Sequence, residues 1–409
     1  MRYTFTHMVE AKAQLLPLTG LRFFLALWVI IFHQPFLTGY SWMAPFPAPL
    51  PSLFHAGYLA VGVFFVLSGF ILSYNYGLEG SWPGSQLKKF GAARFARIYP
   101  SYCIGLILSA PWVADALAKH FSLLRVLKEI AAAVLTWTLL QAWIPQTADA
   151  WNGPGWSLSV EAFFYFCFPV VGVALWRLSR PSTLLTAGLL VWASSLIAPL
   201  IAVHRGLPDS AGFPAAMWNP DSAGAWTNFI KFNPLLNLPQ FCMGIIIGRG
   251  FHLLRGRRKA WLGRGYWLYL PGLILEGLVI VRYQSPLYLF LHNGLLLPLH
   301  SLVILGFALD GGILARFLSL RPLVFWGNAS YSMYIFHMPL AGWLSAISKR
   351  LISAKLEGLL VAILYVGVLI CFSSIIFKYV EEPGNRMLKR KLISWFDPST
   401  TARPTLVER

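Results

Sequence analysis

Charge is scarce in this chain: 12% of its 409 residues are Asp, Glu, Lys or Arg, and acids are the scarcer sign, 15 against 33 basic residues. Cysteine is scarcer still. Cys103, Cys167, Cys242 and Cys371 stand singly in apolar runs with no CxxC spacing, which excludes a disulfide framework and reads as lone buried thiols that pack. HExxH, Walker A, GxGxxG and GxSxG are missing, as is any metal-ligand cluster, so the common soluble-enzyme and metal-dependent chemistries have no foothold. No internal repeat is visible, which removes the sequence sign of an inverted-repeat transporter.

What the chain has instead is apolar length. It is 57% hydrophobic with a mean hydropathy of +0.62, the composition of an integral membrane protein. Runs at 18–38, 57–76, 98–114, 159–176, 184–203, 233–249, 265–282, 286–308, 323–346 and 357–378 reach or approach the roughly 20 residues that cross a bilayer as helix. An all-α, polytopic transmembrane helix bundle of about ten spans follows. The run 129–144 is apolar but short and runs into turn-rich sequence, so it predicts an interfacial or re-entrant helix.

A net charge of +18 suits nucleic acid, yet the basic residues form no single patch and alternate with the spans. They report topology. With the N-terminus inside, Arg2, Lys12, Arg22, the Lys88–Arg97 cluster, Arg177, Arg180, the Arg249–Arg264 cluster, Arg316, Arg321 and the C-terminal group all fall inside, as the positive-inside rule expects. Both termini are thereby placed in the cytoplasm, with membrane lipid and not nucleic acid as the surroundings. Residues 1–17 have no compact apolar core, which predicts no cleaved signal peptide. Residues 1–385 form one membrane domain, and 386–409 a basic tail expected to be disordered. The largest outer loop, about 204–232, sets Trp218 and Trp226 among turn-formers; interfacial anchoring is the commoner cause, stacking on sugar faces the functional one.

Against this apolar background a few polar residues stand out. Arg22 and His33, eleven residues apart, project from nearly the same face of one helix, about 16 Å apart along its axis. Ionisable groups in a bilayer are expensive and usually face a protein interior, so the pair marks a site. Arg22 alone reads as a snorkelling side chain, and His33 as an interhelical hydrogen bond. As a functional pair, His33 takes a proton from a hydroxyl while Arg22 grips an anion near the cytoplasmic surface.

In KKFGAARFARIYPSY, Arg94 and Arg97 lie three apart on a helix, suited to phosphate oxygens or, more simply, to lipid headgroups. WNGPGWSLSVEAFFYF gives a Gly153–Gly155 turn, Ser157 as the expected N-cap, and Glu161 soon after, either a helix-dipole partner or the carboxylate that orients a histidine, with Tyr165 as a donor. WGNASYSMYIFHMPL carries Ser330, Tyr331, Tyr334 and His337, the last able to share a cavity with His33. Ser68 and Gly69, and the GxxxG pair Gly244 and Gly248, read as close helix packing, within the chain or with a second copy. Glu276 lies alone in its span without an evident partner, and Glu381 and Glu382 read as ion-pairing with basic loops.

Five of these segments in order, the Arg22 to His33 spacing, FFVLSGF at 64–70, RFARIYP at 94–100, WSLSVE at 156–161 and SYSMYIFHMP at 330–339, resemble the acyltransferase-3 family of integral membrane O-acyltransferases that modify bacterial glycans. The resemblance covers about 15–385. It implies a multi-pass protein of the bacterial inner membrane that takes an acyl group, usually acetyl, from cytoplasmic acyl-CoA to a sugar hydroxyl, with no bound cofactor. Exopolysaccharide, lipopolysaccharide, a lipid-linked sugar, a small glycoside and a peptidoglycan sugar all remain open as acceptor.

On this chain the resemblance makes Arg22 and His33 the leading catalytic pair, with Arg94 and Arg97 joining Arg22 at the donor; the segments of Glu161 and His337 themselves place these two as catalytic candidates beside the pair. Ser330 or Tyr331 is the expected oxyanion donor. Ala162 stands where the family often has a second acid, which weakens any role for paired carboxylates. Some relatives carry an added esterase-like domain, so the expected alternatives are action alone, as a homo-oligomer, or with polysaccharide-synthesis machinery. A glycan flippase or transporter and a noncatalytic scaffold are the competing readings.

Overall fold

A computed structural model describes residues 15–34, 41–43, 45–76, 82–119, 121–206, 223–257, 263–283, 287–351 and 358–396. These residues are helical with short connections and contain no strand. In chain order the helices are α1 (Leu16–His33), α2 (Leu50–His55), α3 (Leu59–Asn75), α4 (Gly84–Lys119), α5 (Leu123–Trp137), α6 (Trp156–Trp176), α7 (Pro181–His204) and α8 (Ala223–Phe232). They continue with α9 (Pro234–Arg257), α10 (Tyr266–Tyr283), α11 (Tyr288–Asn293), α12 (Leu297–Ala308), α13 (Gly312–Leu318), α14 (Arg321–Leu351), α15 (Gly358–Ile376) and α16 (Glu382–Phe396).

Five described helices are long and apolar enough to cross a membrane: Leu16–His33, Gly84–Lys119, Gly153–Trp176, Pro181–His204 and Gly358–Phe396. The pair α12 and α13, bent by 77°, would make a sixth. The expected spans at 233–249, 265–282 and 323–346 are helices too, but they carry polar side chains turned inward: Asn237 and Gln240 on α9, Glu276 on α10, and Ser330, Ser332 and His337 on α14, all buried. Buried polarity lowers their hydropathy; α9 and α14 are packed into the interior, whereas α10 turns Trp267, Ile274 and Leu278 outward. The run at 129–144 forms no span. α5 is short, exposes Leu123, Leu124, Leu127 and Ile130, and gives way to a 3-10 turn at Gln141–Trp143.

Small residues set the closest helix contacts. Gly69 on α3 lies against the Phe241 carbonyl, and Gly244 on α9 lies against the Val66 carbonyl, so α3 and α9 meet backbone to backbone. Gly248 faces Ser73 in the same seam, which assigns the GxxxG pair to packing within the chain. Gly327 and Gly20 do the same between α1, α14 and the end of α13, against the carbonyls of Thr19 and Leu318. Gly244→Val is therefore expected to overpack this seam by about 1–3 kcal/mol and lower the thermal midpoint of the purified protein. Gly277→Ala, where an added methyl meets nothing, should leave the midpoint unchanged or raised.

The tail does not lose structure at 386: α16 runs to Phe396 with Leu388, Leu392 and Ile393 half-buried on one face, packed along α4. Its spacing of four and one places those side chains on a single stripe, so the basic residues between them point away; residues 397–409 lie outside the described set. Of the four thiols, Cys242 is buried, Cys103 and Cys167 are half-buried, and Cys371 is exposed. The tryptophan-bearing outer loop falls largely outside the described residues, apart from exposed Trp226 on α8.

Candidate active site

A cavity of about 260 Å³ lies between α1, α3, α4, α6 and α14. Its wall takes Arg22 from α1, Ser68 from α3, Arg94 and Arg97 from α4, Glu161 and Tyr165 from α6, and Ser330, Tyr331 and Tyr334 from α14. Segments far apart in the chain thus converge on one surface. Three arginines face a single lining carboxylate there. Arg22 and Arg97 repel one another and are each drawn toward Glu161 and Glu381. In a low-dielectric interior such an excess of cations is costly by itself and is relieved by an anion.

Each polar group has a definite posture. Arg94 donates from Nη2 to the Tyr76 hydroxyl at 3.1 Å, and its guanidinium packs against the rings of Tyr76, Phe90 and Tyr165 at 5.5–5.8 Å. Glu161 accepts from the Tyr165 hydroxyl at 2.5 Å and from Ser68 at 3.4 Å. Tyr331 donates to the Ile98 carbonyl at 2.7 Å, which commits its proton to the backbone. Ser330 differs: it is 1% exposed, lines the cavity, and its hydroxyl has no hydrogen-bond partner among the described residues. Of the two expected oxyanion donors, Ser330 is the one with a proton to give.

Ser157 is not a helix cap. The helix begins one residue earlier, with Gly155 at the cap, and Ser157 bonds the Pro154 carbonyl at 2.9 Å and the Tyr334 hydroxyl at 2.8 Å. Glu161 consequently sits beyond the first turn, where the helix dipole reaches it weakly. It meets a tyrosine and a serine; His33 meets another histidine.

His33 and His337 touch, His337 Nε2 lying 3.3 Å from His33 Nδ1. The neighbours fix their neutral forms. His337 Nδ1 is 2.6 Å from the Tyr334 carbonyl, which only accepts, so Nδ1 holds the hydrogen and Nε2 accepts. His33 Nδ1 is also 2.9 Å from the Val29 carbonyl. Facing two acceptors, it carries its hydrogen, and the lone pair of neutral His33 lies on Nε2. Tyr365 holds the same stretch of α14 by donating to the His337 carbonyl at 2.6 Å. Neither histidine lines the cavity; Tyr334 does, and its ring centroid is 5.8 Å from that of His337.

One buried carboxylate was not legible as part of the site. Glu381 pairs with no basic loop: it is 5% exposed and accepts from Ser332 at 2.5 Å and Ser101 at 3.3 Å, in electrostatic reach of Arg97 and Arg22. A π-helical turn over Phe377–Glu381 inserts the extra residue that swings it inward, a feature frequent at functional sites. Glu382 on the exposed side makes the local pair, with Arg386 at 3.5 Å. Glu276, left without a partner by the sequence, meets His300 at 3.7 Å between α10 and α12.

The family model described as an acyltransferase domain matches residues 17–378, which contain every cavity residue named above. The chain belongs to the acyltransferase-3 family. This acyltransferase is 26% identical to Acyltransferase MdmB of Streptomyces mycarofaciens, over 95% of its own length and 97% of that protein. It is 23% identical to O-acetyltransferase OatA of Staphylococcus aureus, over 79% of its length and 50% of the relative, and 24% identical to Peptidoglycan O-acetyltransferase OatA of Listeria monocytogenes, over 92% and 56%. The chain spans about half the length of the two OatA relatives. No solved structure matches it. Apolar helices and family together make it an acyltransferase of a membrane.

Proposed function

We propose that this acyltransferase moves an acyl group, acetyl foremost, from acyl-CoA entering on the cytoplasmic side to a hydroxyl of a cell-surface or exported glycan. The observation that carries the reading is the convergence of Arg22, Arg94 and Arg97 on one cavity whose wall, at Tyr334, touches the histidine pair. The enzyme is read as a multi-pass protein of about ten spans in a bacterial inner membrane, both termini cytoplasmic, which puts the arginines inside and His33 toward the outer face.

Size supports an extended donor. Pockets that enclose a whole drug-sized ligand hold roughly 300–1,000 Å³. The inner cavity, at about 260 Å³, suits the thioester end of CoA and not its nucleotide. A second depression of about 510 Å³, lined by Tyr76, Lys89, Phe90 and Lys389, opens beside it, and Tyr76 is the group to which Arg94 donates. Phosphates outside and thioester inside fit that pair of spaces.

In the proposed step the acceptor hydroxyl attacks the thioester carbonyl as His33 Nε2 takes its proton. Ser330 donates to the oxygen on which negative charge develops. Collapse of the tetrahedral intermediate breaks the carbon–sulfur bond, and the imidazolium returns its proton to the departing CoA thiolate. His337 accepts from His33 Nδ1 and so positions the ring. The glycan acceptor draws support from the OatA relatives, one of which is named for peptidoglycan.

Purified protein given acetyl-CoA and a glycan acceptor should release free CoA in step with acylated glycan. Absence of CoA release across several acceptors, alongside glycan movement across vesicles, would favour a flippase or transporter. A scaffold would leave glycan acylation intact in His33→Ala cells. Acyl-labelled protein trapped without acceptor would replace direct transfer by an acyl-histidine route.

A further inference from the structure

At the end of the bundle that holds His33, a second polar cluster lies outside the cavity described above. Lys231, at the end of α8, is 5% exposed. Its ammonium faces two rings, Phe232 at 4.8 Å and Tyr288 at 5.9 Å, and is attracted to Asp149 without closing an ion pair among the described residues. Asp149 Oδ1 is buried and has no hydrogen-bond partner among the described residues. The same holds for the side-chain oxygen of fully buried Asn293 and for Nδ1 of His292, a ring that stacks on Tyr58 at 5.8 Å.

Buried charges and amide oxygens left unmatched cost several kcal/mol in total, so so many in one place require a purpose. The loop that delivers Asp149 is itself held against preference: Trp151 sits at φ 64°, rare for a bulky residue and characteristic of functional loops. Aromatic contacts lead from here to the histidine pair. Tyr58 meets Tyr288 at 4.7 Å and Phe32 at 5.7 Å, and Phe32 meets His33 at 4.8 Å.

Cation, carboxylate and amide oxygen set among aromatic rings match the surface of a pyranose, whose hydroxyls both donate and accept and whose face is apolar. We propose that Lys231, Asp149 and Asn293 form an acceptor subsite that holds one sugar ring, its hydroxyls bridging ammonium and carboxylate and its face against Tyr58 or Tyr288. The subsite rests on the glycan-acceptor reading given above. It places acceptor and donor on opposite sides of the histidines: the sugar at this end, the thioester beyond Tyr334.

Binding of chitopentaose, cellopentaose and maltopentaose to the full chain in detergent, measured by saturation-transfer NMR without any donor, tests the subsite apart from catalysis. Wild type should bind at least one of them, and Lys231→Met and Asp149→Asn should each weaken that binding at least tenfold. In the CoA-release assay the same variants should raise the acceptor KM and leave the acetyl-CoA KM within twofold. Thermal midpoints separate this from a structural role, because removing a buried charge that closes no ion pair among the described residues leaves Lys231→Met as stable as wild type or more so. Variants that bind as wild type does, a wild type that binds none of the three sugars, or loss of binding only in parallel with a lowered midpoint would overturn the subsite. Sugar binding that depends on Lys231, with no CoA release by wild type, would leave the subsite standing and remove the transferase reading.

Discussion

His33→Ala should reduce acceptor-dependent CoA release by roughly 10²–10⁴-fold, the usual contribution of a positioned general base. The protein should still insert and fold, since the imidazole meets Val29, His337 and Phe32 at the end of a helix held by Leu25, Val29 and Ile30 in the core. Steady-state turnover by the purified variant, with the elution profile and thermal midpoint as folding controls, checks this. His337→Gln keeps an oxygen to accept from His33 Nδ1 and should lose less activity than His337→Phe, which keeps none. Equal losses in the two would remove His337 from its positioning role.

Ser330→Ala should lower kcat by about 10²–10³-fold, as loss of one oxyanion donor does elsewhere, with the acetyl-CoA KM little changed. The adjacent Tyr331→Phe is the internal contrast. Its hydroxyl donates to the Ile98 carbonyl, so its removal should cost stability, about 1 kcal/mol, and leave most of kcat. A Ser330→Ala enzyme with full turnover, or a Tyr331→Phe enzyme that falls as far, would show that the unpartnered hydroxyl is not the oxyanion donor.

Much of this site could be read from the chain because polar residues are rare in it. Arg22, Arg94, Arg97, Glu161 and Ser330 stood out against apolar neighbours, and the fold brings all five to one cavity. Helical spacing says which residues share a face but not what that face meets. Arg22 lines the cavity while His33, eleven residues along, lies beyond it against His337. Glu161 was legible as a buried carboxylate, yet its choice of Tyr165 and Ser68 depends on how α6 is rotated against α3.

Glu381 was misplaced for a local reason: a π-helical turn adds a residue to the helical count, and no periodicity announces it. Lys231 and Asp149 were passed over because one looked like part of an aromatic loop and the other like part of a turn-rich connection, and only the fold buries both. The helix at 382–396 was hidden by composition, its narrow apolar stripe diluted by basic residues.

The proposed transfer crosses the histidine pair, with CoA used from the face that bears Arg94 and Arg97. Proteoliposomes in which that face points outward in known proportion, loaded inside with an oligosaccharide the protein binds and given radiolabelled acetyl-CoA outside only, measure this directly. The predicted result is labelled oligosaccharide inside the vesicles from wild type, and background label from His33→Ala reconstituted at the same orientation and stability. Label appearing inside at the wild-type rate with His33→Ala, or wild type leaving all label outside while the oligosaccharide is still bound, would contradict it.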